Sequence, residues 1–143
     1  MPLPPIQYNR NVGAILAVRV DWPRSWPQHH DTAPVSHTVR MLIDTGATAS
    51  ALSKRTADRL GLPLVGQRIL QSVNHVGPVN LYLADLSIVA ADPPRRFDDF
   101  RLIELELNDE PVDGLIGLDI IQHGVLQMDG PQEQFSLVFK TSR

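Results

Sequence analysis

Apolar and polar residues along this chain fall mostly into the short periods of β-structure. Val12 to Val20 is almost continuously apolar and predicts a buried strand, and Val35 to Ile43 predicts a second. Gln67 to Val73 and Val79 to Ala90 predict a hairpin, with the turn-forming cluster Asn74-His75-Val76-Gly77-Pro78 between its arms. From Arg101 to Leu107 the alternation is clean. Ile103, Leu105 and Leu107 face one way and Glu104 and Glu106 the other, which puts both glutamates on a solvated face. Leu115-Ile116-Gly117 reads as a short apolar strand. Val125 to Met128 and Gln134 to Phe139 read as a terminal hairpin around Gly130-Pro131, with Phe135, Leu137 and Phe139 on one face.

Helical character is confined to two short stretches. From Leu52 to Leu60, Ser53 can cap the start, Leu52, Thr56 or Ala57, and Leu60 share a face, and Gly61 with Pro63 stops the helix. Leu118 to His123 is the second, stopped by Gly124. The sum is a mainly β chain of about seven strands with one or two short helices. Asp21 to Pro34, with Trp22, Trp26, three prolines and His29-His30, is a loop longer than the usual hairpin connection. Its tryptophans either cover the edge of the core or offer a surface patch. Residues 1–11 are Pro-rich and polar, an expected N-terminal arm ahead of a domain over 12–139. Pro2, Pro4 and Pro5 make that arm a poor strand, so Gln134 to Phe139 is the first place to look for an intermolecular sheet.

Composition narrows the function. A chain of 143 residues with 43% hydrophobic side chains can bury a core of its own, and one domain is expected. The net charge of −3 argues against a nucleic-acid partner, which asks for a basic face. Cysteine is absent, which removes disulfides, Cys-based zinc sites and a thiol nucleophile. No apolar run approaches the ~20 residues of a membrane span. Arg10 before the apolar Val12 to Val18 faintly suggests a signal peptide. The prolines before it, Arg19 and Asp21 after it, and the missing cleavage site favour a strand, so no membrane partner and a cytoplasmic location are expected. His29, His30, His37, His75 and His123 show no metal-ligand spacing, and no metal is expected.

One residue stands out against this background. Asp44 ends the apolar run Val39-Arg40-Met41-Leu42-Ile43, where burial of an isolated carboxylate costs several kcal/mol. Such a group needs a partner or a job. Thr45, Gly46 and Ala47 follow directly.

Leu42-Ile43-Asp44-Thr45-Gly46-Ala47 resembles the active-site loop of the aspartic peptidases. With one Asp-Thr-Gly per chain, the resemblance is to the single-lobed retroviral type, a half-enzyme completed by homodimerisation. That fold carries an apolar-apolar-Gly strand leading into a helix roughly seventy residues later, and Leu115-Ile116-Gly117 stands there. Val112-Asp113-Gly114-Leu115-Ile116-Gly117-Leu118-Asp119 is similar to the peptidase domain of the eukaryotic DNA-damage-inducible ubiquitin-shuttle proteins and to small bacterial retropepsin-like proteins. The resemblance spans about residues 12 to 139.

The resemblance implies a single-lobed retropepsin-like acid-protease β-barrel and an aspartic endopeptidase without metal or cofactor, acting on peptide or protein substrates. Asp44 and its symmetry mate form the catalytic dyad, because two adjacent carboxyls cannot both ionise and so supply one base and one acid. The Thr45 hydroxyl bonds across the interface, Gly46 lets the backbone approach substrate, and Gly117 leaves room for the loop packed on it. The Asn74 to Pro78 turn is the flap, with His75, Val76 and Gly77 near substrate. Ala47, Leu115 and Ile116 are further apolar walls.

The chain departs from the retroviral pattern in three places. Thr48 and Ala49 stand where acids are common, Leu118 stands where Arg usually pairs with one of them, and the flap has only Gly77, followed by Pro78. Two competing functions remain: a retropepsin-fold binding or dimerisation module with weak or no catalysis, and a structural β-domain in which Asp44 merely caps a turn.

Overall fold

The computed structural model describes residues 5–26, 36–71, 76–91, 94–107 and 111–140. Strand β2 (Ile15–Asp21) shows how alternation builds the wall: Leu16, Val18 and Val20 are buried, while Ala17 and Arg19 between them are exposed. The near-continuous apolar run is thus a strand with one inner face, because Ala17 is small enough to tolerate solvent. Strand β1 (Ile6–Gln7) precedes it. β2 pairs antiparallel with β3 (His37–Ile43), whose Val39 and Met41 face the same core.

The chain then turns through Asp44 to Ser50 into β4 (Ala51–Ser53) and helix α1 (Lys54–Leu60). Ser53 caps α1 as expected, its Oγ accepting the Thr56 N–H at 3.1 Å. Gly61 closes the helix in the left-handed conformation, φ 66°, which suits a residue without Cβ. Leu52 lies in β4 and not in the helix, so the fully buried trio of β4 is a strand that no alternation announces.

β5 (Leu64–Gln71) and β6 (Val76–Ile88) form the expected hairpin, but its ladder runs further toward the tip. Gln71 pairs with Val76, Leu70 with Gly77 and Ile69 with Pro78, so Val76, Gly77 and Pro78 belong to a strand rather than to the turn. His75 and Asn74 lie outside the described residues.

β7 (Arg95–Leu105) begins well before Arg101. Its first half, Arg95-Arg96-Phe97-Asp98-Asp99, carries too much charge to read as a strand. The charges have a structural reason. Asp85, 1% exposed, accepts hydrogen bonds from the Arg24 N–H (3.1 Å), the Asp99 N–H (2.9 Å) and Arg96 Nη2 (2.9 Å), which offsets the cost of burying it. Glu104, in β7, and Glu106, just past it, are both expected on a wet face, and Glu106 is exposed. Glu104 is instead half-buried and accepts the Tyr82 hydroxyl and, more weakly, Asn80 Nδ2 at 3.4 Å.

β8 (Gly114–Ile116), α2 (Leu118–Ile121), β9 (Gly124–Asp129) and β10 (Gln134–Phe139) complete the chain. β2, β3, β8, β4, β7 and β6 follow one another around a closed ring, sealed where Val20 and Asp21 of β2 meet Leu86 and Asp85 of β6. β5 adds to β6 outside the ring. The architecture is mainly β, a closed six-strand barrel with two short helices.

A second sheet, β1-β10-β9, covers one side, and Phe135, Leu137 and Phe139 point into the main core as their spacing predicts. β10 is the middle strand of that sheet, flanked by Ile6–Gln7 and by β9. The N-terminal arm therefore does form a strand at Ile6 and Gln7, just past the prolines, and it takes up one edge of β10 at Gln134 and Phe135. Among the described residues, no helix is long and apolar enough to cross a membrane.

Candidate active site

The wall β3-β8-β4 carries the motif residues. β8 lies between β3 and β4, parallel to the first and antiparallel to the second. Leu42 pairs with Leu115 and Ile43 with Ile116, so the two motifs, far apart in sequence, run side by side and end together. Strand alternation then divides their side chains. Ile116 is fully buried in the main core with Met41 and Leu52. Leu115 points the opposite way, into a second cluster with Ala49, Ala51, Val79 and Ile103, joined by Leu70, Leu81 and Leu105. That cluster fills the space between the motif wall and the β5–β6 hairpin. Leu115 therefore faces the second cluster, whereas Ile116, expected as a pocket wall, faces the barrel core.

Asp44 stands where β3 leaves the ladder. Its N–H donates to the Ile116 carbonyl at 2.9 Å, the last bond between the two motifs. Its Oδ1 accepts the Gly46 N–H at 2.9 Å, and its carbonyl accepts the Ala47 N–H at 3.1 Å. The carboxylate is half-buried, with Thr45 and Gly46 exposed beside it. A Cβ on Gly46 would sit 3.2 Å from Asp44 Oδ1, tight enough to disturb that contact. Each chain presents one such carboxylate at its surface.

The loop is pressed onto the turn after β8. A Cβ on Gly117 would lie 2.7 Å from the Ala47 carbonyl oxygen and 2.8 Å from the Ala49 carbonyl carbon, both backbone atoms that cannot swing aside. The Leu118 N–H donates to the Ala47 carbonyl at 2.8 Å. The turn after β8 therefore has no room for a side chain at Gly117. Gly114 is equally tight, 2.3 Å from the Ala51 carbonyl oxygen.

Two residues that the motifs did not single out complete the cradle. Ser50, fully buried, donates from Oγ to Asp119 Oδ1 at 2.6 Å, and its N–H reaches both Asp119 oxygens at 3.0 Å. The two segments whose common acid–Arg pair is missing here are joined by this bond instead. The signal was present: an Asp directly after Gly117-Leu118, and a Ser buried in an otherwise apolar Ala49-Ser50-Ala51-Leu52 run. Asp113 works similarly below the site, accepting the Arg40 N–H (2.9 Å) and the Thr56 hydroxyl (3.1 Å).

Over the site, the inner face of the hairpin brings Leu70 and Val79 toward the second cluster. Gly77 shares the Leu70 face at a φ of 151°, which L-residues with a side chain rarely adopt. Val76 is on the other face and is 71% exposed. Of the remaining histidines, His37 is in β3 and His123 rests 5.5 Å from the Phe97 ring; His29 and His30 are outside the described residues. Among the described residues, no group of three His, Asp or Glu side chains could hold a metal ion.

A closed barrel with the Asp44-Thr45-Gly46 loop packed on the Leu115-Ile116-Gly117 strand is a retropepsin-like fold. The chain belongs to the aspartyl protease family, whose profile matches residues 35–120, more than half of its length. Solved structures agree on the fold. A retropepsin-like aspartic protease from Rickettsia conorii superposes with a TM-score of 0.62 at 17% identity, over 94% of this chain and 88% of that one. EIAV protease, solved with the inhibitor HBY-793, gives a TM-score of 0.54 at 20% identity, over 82% and 92% of the two chains. No curated protein sequence matches the chain.

Proposed function

We propose that this protein is an aspartic endopeptidase that acts as a homodimer, with Asp44 of each protomer forming the catalytic pair. The observation that carries the reading is the setting of Asp44. A single, half-buried carboxylate is held by its own loop, followed by the exposed Thr45 and Gly46, at the end of a wall that continues into an apolar cluster. One carboxylate cannot act as acid and base at once, and two that approach each other share a proton.

In the dimer, the ionised Asp44 takes a proton from water as the water oxygen attacks the peptide carbonyl. The protonated Asp44 gives its proton to the carbonyl oxygen. The resulting tetrahedral intermediate collapses as the amide nitrogen receives a proton and leaves. Preorganisation of this site comes from the Gly46 N–H on Asp44 Oδ1 and from the packing of Gly117 under Ala47. In this reading Thr45, exposed next to Asp44, bonds across the two-fold axis of the dimer. Ala47 and Leu115 flank substrate, and Leu70, Gly77 and Val79 cover it from the hairpin, where Val76 pairs with Gln71. Apolar side chains beside the cleaved bond suit these walls.

The test is cleavage of a mixed peptide library at mildly acidic pH, by wild type and by Asp44→Asn, with sedimentation alongside. Cleavage by a wild-type dimer, lost in a dimeric Asp44→Asn, establishes the reading. A wild-type dimer that cuts no peptide of a broad library overturns it in favour of a binding module.

A further inference from the structure

We propose that Ser50 and Asp119 are positioning residues for the catalytic carboxylate, locking the far end of the Asp44 loop onto the β8–α2 turn. The proposal rests on the peptidase reading above. The loop is fixed at its start by the Asp44 N–H on the Ile116 carbonyl. Between there and β4 it has no ladder, and Thr45, Gly46 and Thr48 are exposed. Something must hold its other end, or the Asp44 carboxylate would drift relative to its mate. Displacement in a two-fold dimer counts twice, because both carboxylates move.

Ser50 is that anchor. It is 0% exposed, and every polar group it owns is used. Its Oγ donates to Asp119 Oδ1 at 2.6 Å and accepts the Gly117 N–H at 2.9 Å. Its N–H is shared by both Asp119 oxygens at 3.0 Å, and its carbonyl accepts the Ile103 N–H at 3.1 Å. A hydroxyl is the only small group that donates and accepts at once in so little space. Asp119 meets no cation among the described ion pairs, so its charge is satisfied by Ser50, through bonds stronger than neutral ones. Without the hydroxyl, the Gly117 N–H loses its partner inside the packed seam, and Asp119 Oδ1 keeps only its share of the Ser50 N–H. The Ala47–Gly117 contact, whose spacing leaves no room for a methyl group, is then free to open.

The test compares Ser50→Ala, Asp119→Ala and Asp119→Asn in the full-length chain. It reads kcat and KM on a peptide selected by wild type, together with amide hydrogen exchange at Gly117 and Leu118. Ser50→Ala and Asp119→Ala should lower kcat about tenfold or more while KM stays within about twofold, the mark of misplaced reacting groups. Asp119→Asn should recover most of the loss, because its amide oxygen still accepts from Ser50. The Gly117 and Leu118 amides should exchange about tenfold faster in both alanine variants. An unchanged kcat in the folded Asp119→Ala dimer overturns the proposal, as does a rise in KM alone. If Ser50→Ala fails to fold, the Asp119 pair decides. Wild type that cleaves nothing removes the peptidase reading instead, and exchange then decides this one: slow, unaltered Gly117 and Leu118 amides in Asp119→Ala overturn it.

Discussion

In the proposed peptidase Asp44 is the residue on which the chemistry turns, and its substitution makes the sharpest statement. Asp44→Asn keeps the size of the side chain and an oxygen for the Gly46 N–H, so folding and dimerisation should survive while the rate of cleavage falls about a thousandfold or more. Circular dichroism, sedimentation and a peptide assay check the three parts together. A second prediction concerns Tyr82, whose hydroxyl donates to Glu104 from a buried position. Burial, then the hydrogen bond to Glu104, raises its pKa above the ordinary 10.0. The neutral phenol is thus the form that the fold prefers. Its contribution is complete below pH 10 and is lost as the pH rises from there toward the folded value. Tyr82→Phe should cost about 1–2 kcal/mol near neutral pH, since Glu104 keeps only its weaker bond from Asn80. It should also flatten the alkaline side of the stability curve, measured by urea unfolding at several pH values. Asp44, Thr45 and Gly46 were legible as residues because the tripeptide is contiguous. Ser50 and Asp119 left separate signals, a Ser in an apolar run and an Asp after Gly117-Leu118, but their pairing was not legible until the fold brought them together.

Among the elements, the motif wall is held by close backbone approach. Gly117→Ala would drive a methyl group into the Ala47 and Ala49 backbone at under 3.0 Å, and the loop must shift to admit it. The expected loss is about 2–4 kcal/mol in unfolding free energy, with cleavage falling in the fraction that stays folded. Ser53→Ala removes the cap of α1 and the hydrogen bond to the Thr56 hydroxyl, at about 1 kcal/mol, and should leave the KM of the peptidase unchanged. Helix α1 was readable because its cap, its stop and its apolar face lie within a single turn or two. The strands were readable in proportion to their alternation. β10 and the β5–β6 hairpin had clear patterns. β4, three buried residues without a polar partner in the period, had none, and the first half of β7 was masked by the charges that serve Asp85 and the sheet edge. The hairpin ladder ran past the expected turn because Gly77 and Pro78, turn formers by composition, can also pair at the end of a twisted two-stranded ribbon.

For the molecule as a whole, the decisive quantity is assembly. If each active site needs two Asp44 residues, specific activity must fall on dilution, in step with the loss of dimer seen by sedimentation. A specific activity independent of concentration down to fully monomeric protein would end the shared-site reading. The chain's own letters were enough for everything that local physics encodes: the period of the strands, the caps of α1, a carboxylate at the end of an apolar run, and a glycine after Leu115-Ile116. Each of these depends on residues a few positions apart. The rest came from contacts between distant segments. β8 slots between β3 and β4, β2 closes the barrel on β6, Ile116 turns inward while Leu115 turns to the second cluster, and Ser50 meets Asp119 across 69 positions. No local period carries that information, because a strand's partners and the identity of its buried face are set by packing in three dimensions.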